Sequence, residues 1–185
     1  MIVGVLALQG DFEAHARTLR GLGADVREVR VPADLEGLDG LVIPGGESTT
    51  MTLGIEREGL AEPLRALVQS GRPVLGTCAG LIMLDREHLG LADYTCRRNA
   101  FGRQIRSFEA DLEIPGIDGA PVRAVFIRAP WIDEHGDAVE VLAEVDGHIV
   151  AARQENMLVI SFHPEIAGET RLHELFLAEV AKCRT

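Results

Sequence analysis

The sequence predicts an α/β fold of three layers: a mostly parallel sheet, helices on both faces and an antiparallel extension. Three observations carry that prediction. Short, wholly apolar runs recur through the first half, as expected for strands buried on both faces. Stretches with apolar residues at helical spacing separate them, and such alternation predicts a parallel sheet. In the second half the pattern changes to short alternating runs punctuated by turn residues, which reads as hairpin strands.

Ile2 to Leu8 is a continuous apolar run and the first strand. Asp11 to Leu22 follows as a helix, with Phe12, Ala16 and Leu19 on one face and Gly21 and Gly23 as its stop. Further strands fall at Asp25 to Val31 and Gly40 to Pro44. The turn Gly45-Gly46 leads into a helix from about Ser48, and a second helix covers Glu62 to Gln69 and ends at Gly71. Pro73 to Gly76 is the next strand. Between Leu91 and Phe162 lie the runs Val122 to Ile127, Val139 to Val145 and His148 to Arg153. Turns at Pro115-Gly116, Asp118-Gly119, His135-Gly136 and Asp146-Gly147 separate them. Met157 to Phe162 is again a buried-type strand, and Thr170 to Lys182 closes the chain as a helix with Leu172, Leu175, Phe176 and Val180 on one face.

At 185 residues, with no linker, repeat or low-complexity tract, residues 1–185 read as a single domain. The 29 acidic residues outnumber the 18 basic ones, for a net charge of −11. Such a surface repels phosphate backbones and anionic lipid, so neither nucleic acid nor membrane is an expected partner. No apolar run approaches the roughly 18 residues of a membrane span. The apolar start lacks a basic lead and meets Asp11 and Glu13 at once, so it reads as a strand and not a signal peptide. Cys78, Cys96 and Cys183 are too few and too scattered for a disulfide framework, which points to a reducing, cytoplasmic setting.

Three short segments at strand ends carry chemistry, and ligands of open α/β sheets collect beyond such ends. In Gly76-Thr77-Cys78-Ala79-Gly80 a strand runs in and the apolar helix Leu81 to Leu84 runs out. This is the pattern of a nucleophile elbow, with cysteine as the nucleophile and small neighbours for a cramped turn. The free N–H groups of a helix start favour its thiolate; the bland reading is a buried structural cysteine. Phe162-His163-Pro164-Glu165 offers a base and, two residues on along an extended segment, a carboxylate to orient it. In Pro44-Gly45-Gly46-Glu47-Ser48 the glycine pair can present N–H groups to an anion and Ser48 can cap the next helix. It lacks the lysine of a phosphate loop, so an oxyanion hole from the N–H groups of Gly46 and Ala79 is the better expectation; an ordinary strand-to-helix turn is the plain alternative. His15, His88, His135, His148 and His173 have no metal-ligand spacing and read as satisfied or exposed histidines. Neither a metal nor a cofactor is expected.

With these three motifs in this order, the sequence resembles the triad (class I) glutamine amidotransferases. Within them it is most similar to the glutaminase subunits of pyridoxal 5′-phosphate synthases. Four stretches carry the likeness: Gly4 to Gly10, Leu41 to Thr50, Arg98 to Gln104 and Val125 to Pro130. The resemblance implies a flavodoxin-like parallel core and hydrolysis of L-glutamine to glutamate and ammonia. Cys78 would attack the side-chain amide, and His163, oriented by Glu165, would move the proton. Gly46, Glu47, Ser48, Arg98, Ile127 and Arg128 would hold the substrate, with Gln9 near the oxyanion side. Arg98 and Arg128 suit an α-carboxylate and Glu47 an ammonium. The resemblance further implies a barrel-shaped synthase subunit as partner in a large hetero-oligomer, and latency without it. A flip of the Gly45-Gly46 peptide gives that latency a physical handle. Alternatives are the glutaminase subunit of another synthase, a cysteine-elbow peptidase or redox protein, and a non-catalytic binding domain.

Overall fold

A computed structural model describes residues 1–99 and 107–183. Residues 100–104 of the stretch from Arg98 to Gln104 lie outside them. The first half alternates as its pattern requires: β1 (Ile2–Leu6), α1 (Phe12–Gly21), β2 (Asp25–Val29), a 3-10 turn at Pro32–Leu35, β3 (Gly40–Ile43), α2 (Ser48–Arg57), α3 (Ala61–Gln69), β4 (Val74–Thr77) and α4 (Ala79–Leu84). The second half adds β5 (Tyr94–Arg97), β6 (Ser107–Leu112), β7 (Val122–Ile127), β8 (Trp131–His135), β9 (Glu140–Val145), β10 (His148–Gln154) and β11 (Met157–Ile160). The chain then forms α5 (Pro164–Ala167) and α6 (Arg171–Lys182).

The main sheet runs β2-β1-β3-β4-β11-β10-β8-β5, with β9 also paired to β10. The five strands from β2 to β11 are parallel, and those beyond β11 are antiparallel. The parallel strands alternate between two cores, as the two-residue period of a strand demands. Leu41, Ile43, Val74, Met157 and Val159 join α2, α3 and α4 on one face. Val42, Leu75, Leu158 and Ile160 join α1 and α6 on the other. The fold is thus the expected mostly parallel α/β sheet with helices on both sides.

Two expectations about elements need correction. The run Val122 to Ile127 does not extend the main sheet: β7 pairs with β6 as a separate two-stranded ribbon. Its Val122, Ala124 and Phe126 bury in the core on the α6 side, so the ribbon packs on a face of the sheet and is not one of the hairpin strands added to it. Two of the parallel strands also stop sooner than their apolar runs. β1 ends at Leu6 and β11 at Ile160, leaving Ala7 to Gln9 and Ser161 to His163 to turn over the end of the sheet. These overhanging residues build the site.

Candidate active site

Because β1, β3, β4 and β11 are parallel, their carboxyl ends open on one edge of the sheet, where crevices of open α/β folds form. Three of the ends deliver the predicted segments, and the fourth delivers Gln9. Gln9 follows β1, the Gly45-Gly46 turn follows β3, Cys78 follows β4 and His163 follows β11.

Cys78 sits between β4 and α4 with φ 49° and ψ −102°. That is a costly conformation for a residue with a side chain, about 1–3 kcal/mol. The surroundings enforce it. The Cys78 N–H donates to the Ile160 carbonyl at 2.8 Å, tying the elbow to β11. Every residue of α4 is buried. A Cβ on Gly80 would fall 2.0 Å from the Ile43 carbonyl oxygen, so only glycine lets α4 approach β3 this closely.

His163 is likewise anchored, its N–H donating 2.8 Å to the Val125 carbonyl of β7. Its Nδ1 lies 2.7 Å from Glu165 Oε1. The expected pairing is present, though not by the expected geometry. His163 is the N-cap of α5, Pro164 takes the first helical position, and Glu165 comes back beneath the ring from within that turn. The Glu165 side chain is wholly buried. Burial disfavours the His163 imidazolium, but hydrogen bonds to Cys78 and Glu165, and their charges, outweigh it and raise its pKa to about 10.

The β3–α2 turn presses on both groups. A Cβ on Gly45 would lie 2.5 Å from His163 Cε1 and 3.3 Å from Cys78 Cβ. Gly46 has φ 153°, and a Cβ there would meet Gln9 Oε1 at 2.3 Å. The Gly45 carbonyl accepts from the Asp11 N–H at 3.3 Å, so the Gly46 N–H of the same planar peptide points the opposite way. Gln9 Oε1 accepts the Glu47 N–H at 2.6 Å.

Glu47, not Ser48, caps α2. Its longer side chain folds back to accept the N–H groups of Thr49 at 3.1 Å and Thr50 at 2.7 Å. Ser48 becomes the first helical residue and is buried. The Thr50 hydroxyl, then the Thr50 and Thr49 amides, hold the Glu47 pKa down at about 2. Arg98 reaches the same carboxylate at 3.2 Å.

A cavity of about 270 Å³ opens above these residues. Of the predicted site residues, Gln9, Gly46, Glu47, Ser48, Cys78, Ala79, Arg98, Ile127, Arg128 and His163 line it. Glu165 stands behind His163. Ile82, Asn99 and Pro130 also line the cavity without having been singled out. Asn99 and Arg128 share with Cys78 a positive φ, 47° and 44°. Positive φ leaves no mark in the sequence of an arginine, so that feature was not readable in advance. Among the described residues, no group of three or more His, Cys, Asp or Glu could hold a metal ion. None of the described helices is long and apolar enough to cross a membrane.

Residues 5–182 match the model of the SNO glutamine amidotransferase family. The chain belongs to that family. Among curated relatives, the pyridoxal 5′-phosphate synthase subunit PdxT of Rhodococcus opacus (strain B4) is 52% identical, the alignment covering 95% of each chain. The protein of the same name from Streptomyces avermitilis is 52% identical over 100% of this chain and 96% of its own. A crystal structure described as that of a glutamine amidotransferase superposes with a TM-score of 0.91 at 43% identity, over 98% of this chain and 100% of the other. As a family member, this SNO amidotransferase places its elbow cysteine and its strand-end histidine over one cavity.

Proposed function

We propose that this chain is the glutaminase subunit of a pyridoxal 5′-phosphate synthase, with Cys78, His163 and Glu165 as its catalytic triad. The observation that carries the triad is the convergence of Cys78 and His163 on one cavity, with Glu165 at 2.7 Å from the far side of the imidazole. Cys78, its proton resting on His163, attacks the side-chain carbonyl carbon of glutamine. The carbonyl oxygen becomes an oxyanion, received by the N–H groups of Gly46 and Ala79. His163 returns its proton to the nitrogen, ammonia departs and a thioester remains. Water, deprotonated by His163, then attacks the thioester; glutamate leaves and the thiolate is restored.

Arg98 and Arg128 are suited to the α-carboxylate of the substrate, and Ile127 lines the same cavity. Glu47 is suited to the ammonium, since its carboxylate stays ionised well into acid. Ser48 and Gln9 complete the rim. Ammonia passes to a barrel-shaped synthase subunit within a hetero-oligomer, where it is joined to sugar-phosphate substrates. Rotation of the Gly45-Gly46 peptide, with no Cβ to oppose it, would supply or withdraw the Gly46 donor as that partner docks.

The test is glutamate release from glutamine by the chain alone and with the synthase subunit. Release is expected to rise with the partner and to fall by at least about a thousandfold in Cys78→Ala. Equal rates with and without the partner would sink the latency reading. Undiminished release by Cys78→Ala would sink the triad.

A further inference from the structure

Behind His163 lies a second histidine pair that the chemistry above does not use. His15, on the inner face of α1, and His173, in the first turn of α6, are both completely buried. His15 Nδ1 is 2.8 Å from His173 Nε2. The other ring nitrogen, His15 Nε2, is 3.2 Å from Thr77 Oγ1 and 3.4 Å from Glu165 Oε2. Among the described residues Glu165 Oε2 has no hydrogen-bond partner, although it is buried. A continuous polar line therefore runs from Cys78 through His163 and Glu165 to His15 of α1 and His173 of α6.

We propose that His15 is a positioning residue for the glutaminase reaction: a neutral imidazole whose Nε2–H faces the Glu165 carboxylate, its tautomer fixed by a proton that His173 donates to Nδ1. The inference rests on the triad reading of Cys78, His163 and Glu165. A buried carboxylate oxygen without a donor is costly. Were Nε2 bare, its lone pair would face that oxygen, acceptor against acceptor. Nε2 therefore carries the hydrogen, shared between Thr77 and Glu165. Nδ1 is then an acceptor, and His173 supplies the proton between the two rings from its Nε2, which leaves its buried Nδ1, without a hydrogen-bond partner among the described residues, as the bare nitrogen of that ring.

Burial, then the charges of His173 and His163, pushes the His15 pKa far down. Burial likewise lowers that of His173 to about 4, against the opposing pull of the Glu169 and Glu174 charges. Both rings stay neutral near neutral pH. That matters for the chemistry. A neutral donor holds the carboxylate in place without cancelling its charge, so the full charge remains to stabilise the imidazolium of His163 as the proton comes and goes.

The experiment measures glutamate release by the full chain with its synthase subunit, in the unaltered protein, Cys78→Ala, His15→Leu and His15→Gln. Retained activity in Cys78→Ala overturns the triad reading and this inference with it. With that control silent, His15→Leu is expected to lower kcat about tenfold to a hundredfold, as losing an outer partner of a reactive group does, with KM for glutamine within about twofold. His15→Gln, whose amide N–H replaces Nε2–H, is expected to recover to within about fivefold of the unaltered protein. Three results would overturn the inference: a leucine variant as fast as the unaltered chain, a glutamine variant as slow as leucine, or a loss confined to KM. Should the leucine variant fail to fold, isotope-edited NMR of the unaltered chain decides independently. His15 is expected as the neutral Nε2–H tautomer at neutral pH; a charged ring or the Nδ1–H tautomer refutes the proposal.

Discussion

A single methyl group is enough to probe how tightly Cys78 and His163 are held. A Cβ at residue 45 would lie 2.5 Å from His163 Cε1, so Gly45→Ala must push the imidazole aside. With His163 as the proposed base, it is expected to cut kcat by about a hundredfold, because small misplacements of such a group are costly to rate. The melting temperature should move little, since the ring borders a cavity into which it can shift. A variant that melts early and retains its rate would contradict this. The legibility of these residues in the sequence differs case by case. Cys78 was readable because an elbow is local: strand, small residues and helix are contiguous. His163 and Glu165 were readable as neighbours, but the reason was not. An extended segment was expected, whereas Pro164 starts a helical turn that brings the carboxylate under the ring. In the sequence His15 reads as a satisfied or exposed histidine, yet it shares the face of Phe12, Ala16 and Leu19 on α1. A histidine on an apolar helix face was the available signal, and only the fold reveals that Glu165 waits opposite.

At the scale of elements, α1 and α6 each bring an uncharged histidine into the interior, and this links folding to acidity. The folded-state pKa of His173, about 4, lies below the ordinary value of 6.5. The unfolded chain therefore binds the proton first, and stability falls as pH drops from about 6.5 toward 4. His173 alone would contribute a loss of up to about 3 kcal/mol across that window. His163 has the opposite sign: its pKa is raised to about 10, so its contribution is complete below about 6.5 and lost as pH rises through about 10. Urea midpoints should thus peak near neutrality, and the acid limb should be shallower in His173→Leu. An unchanged acid limb would count against the buried pair. The parallel strands and their helices were legible because their signals are periodic and short-range. The β6–β7 ribbon was not: alternation marks a strand but says nothing of which strand it pairs with, and the apolar side of Phe126 and its neighbours goes to the core that α1 and α6 share.

Taken whole, the molecule is polarised along its strands. The carboxyl ends of the parallel strands carry the cavity, and the amino ends carry short exposed turns such as Ser70-Gly71 ahead of β4. A short glycine-serine insertion between Ser70 and Gly71 is expected to leave glutamate release within about twofold, as exposed loop tips tolerate insertion. A collapse of activity in that variant would mean that the two ends communicate. The net charge of −11 was plain in the sequence, but where a partner seats on the surface was not, because charge totals carry no positions. Cys78 and His163 hang from the two sheets in the same way. Each is pinned by its own amide, Cys78 to β11 and His163 to β7. Those two amides should be among the slowest in the chain to exchange for deuterium, with the denaturant dependence of global unfolding. Fast exchange at either would show a site that opens separately from the sheet. If both are slow, heat inactivation and loss of the fold are one event, and a molecule that survives warming emerges with its reactive centre in register.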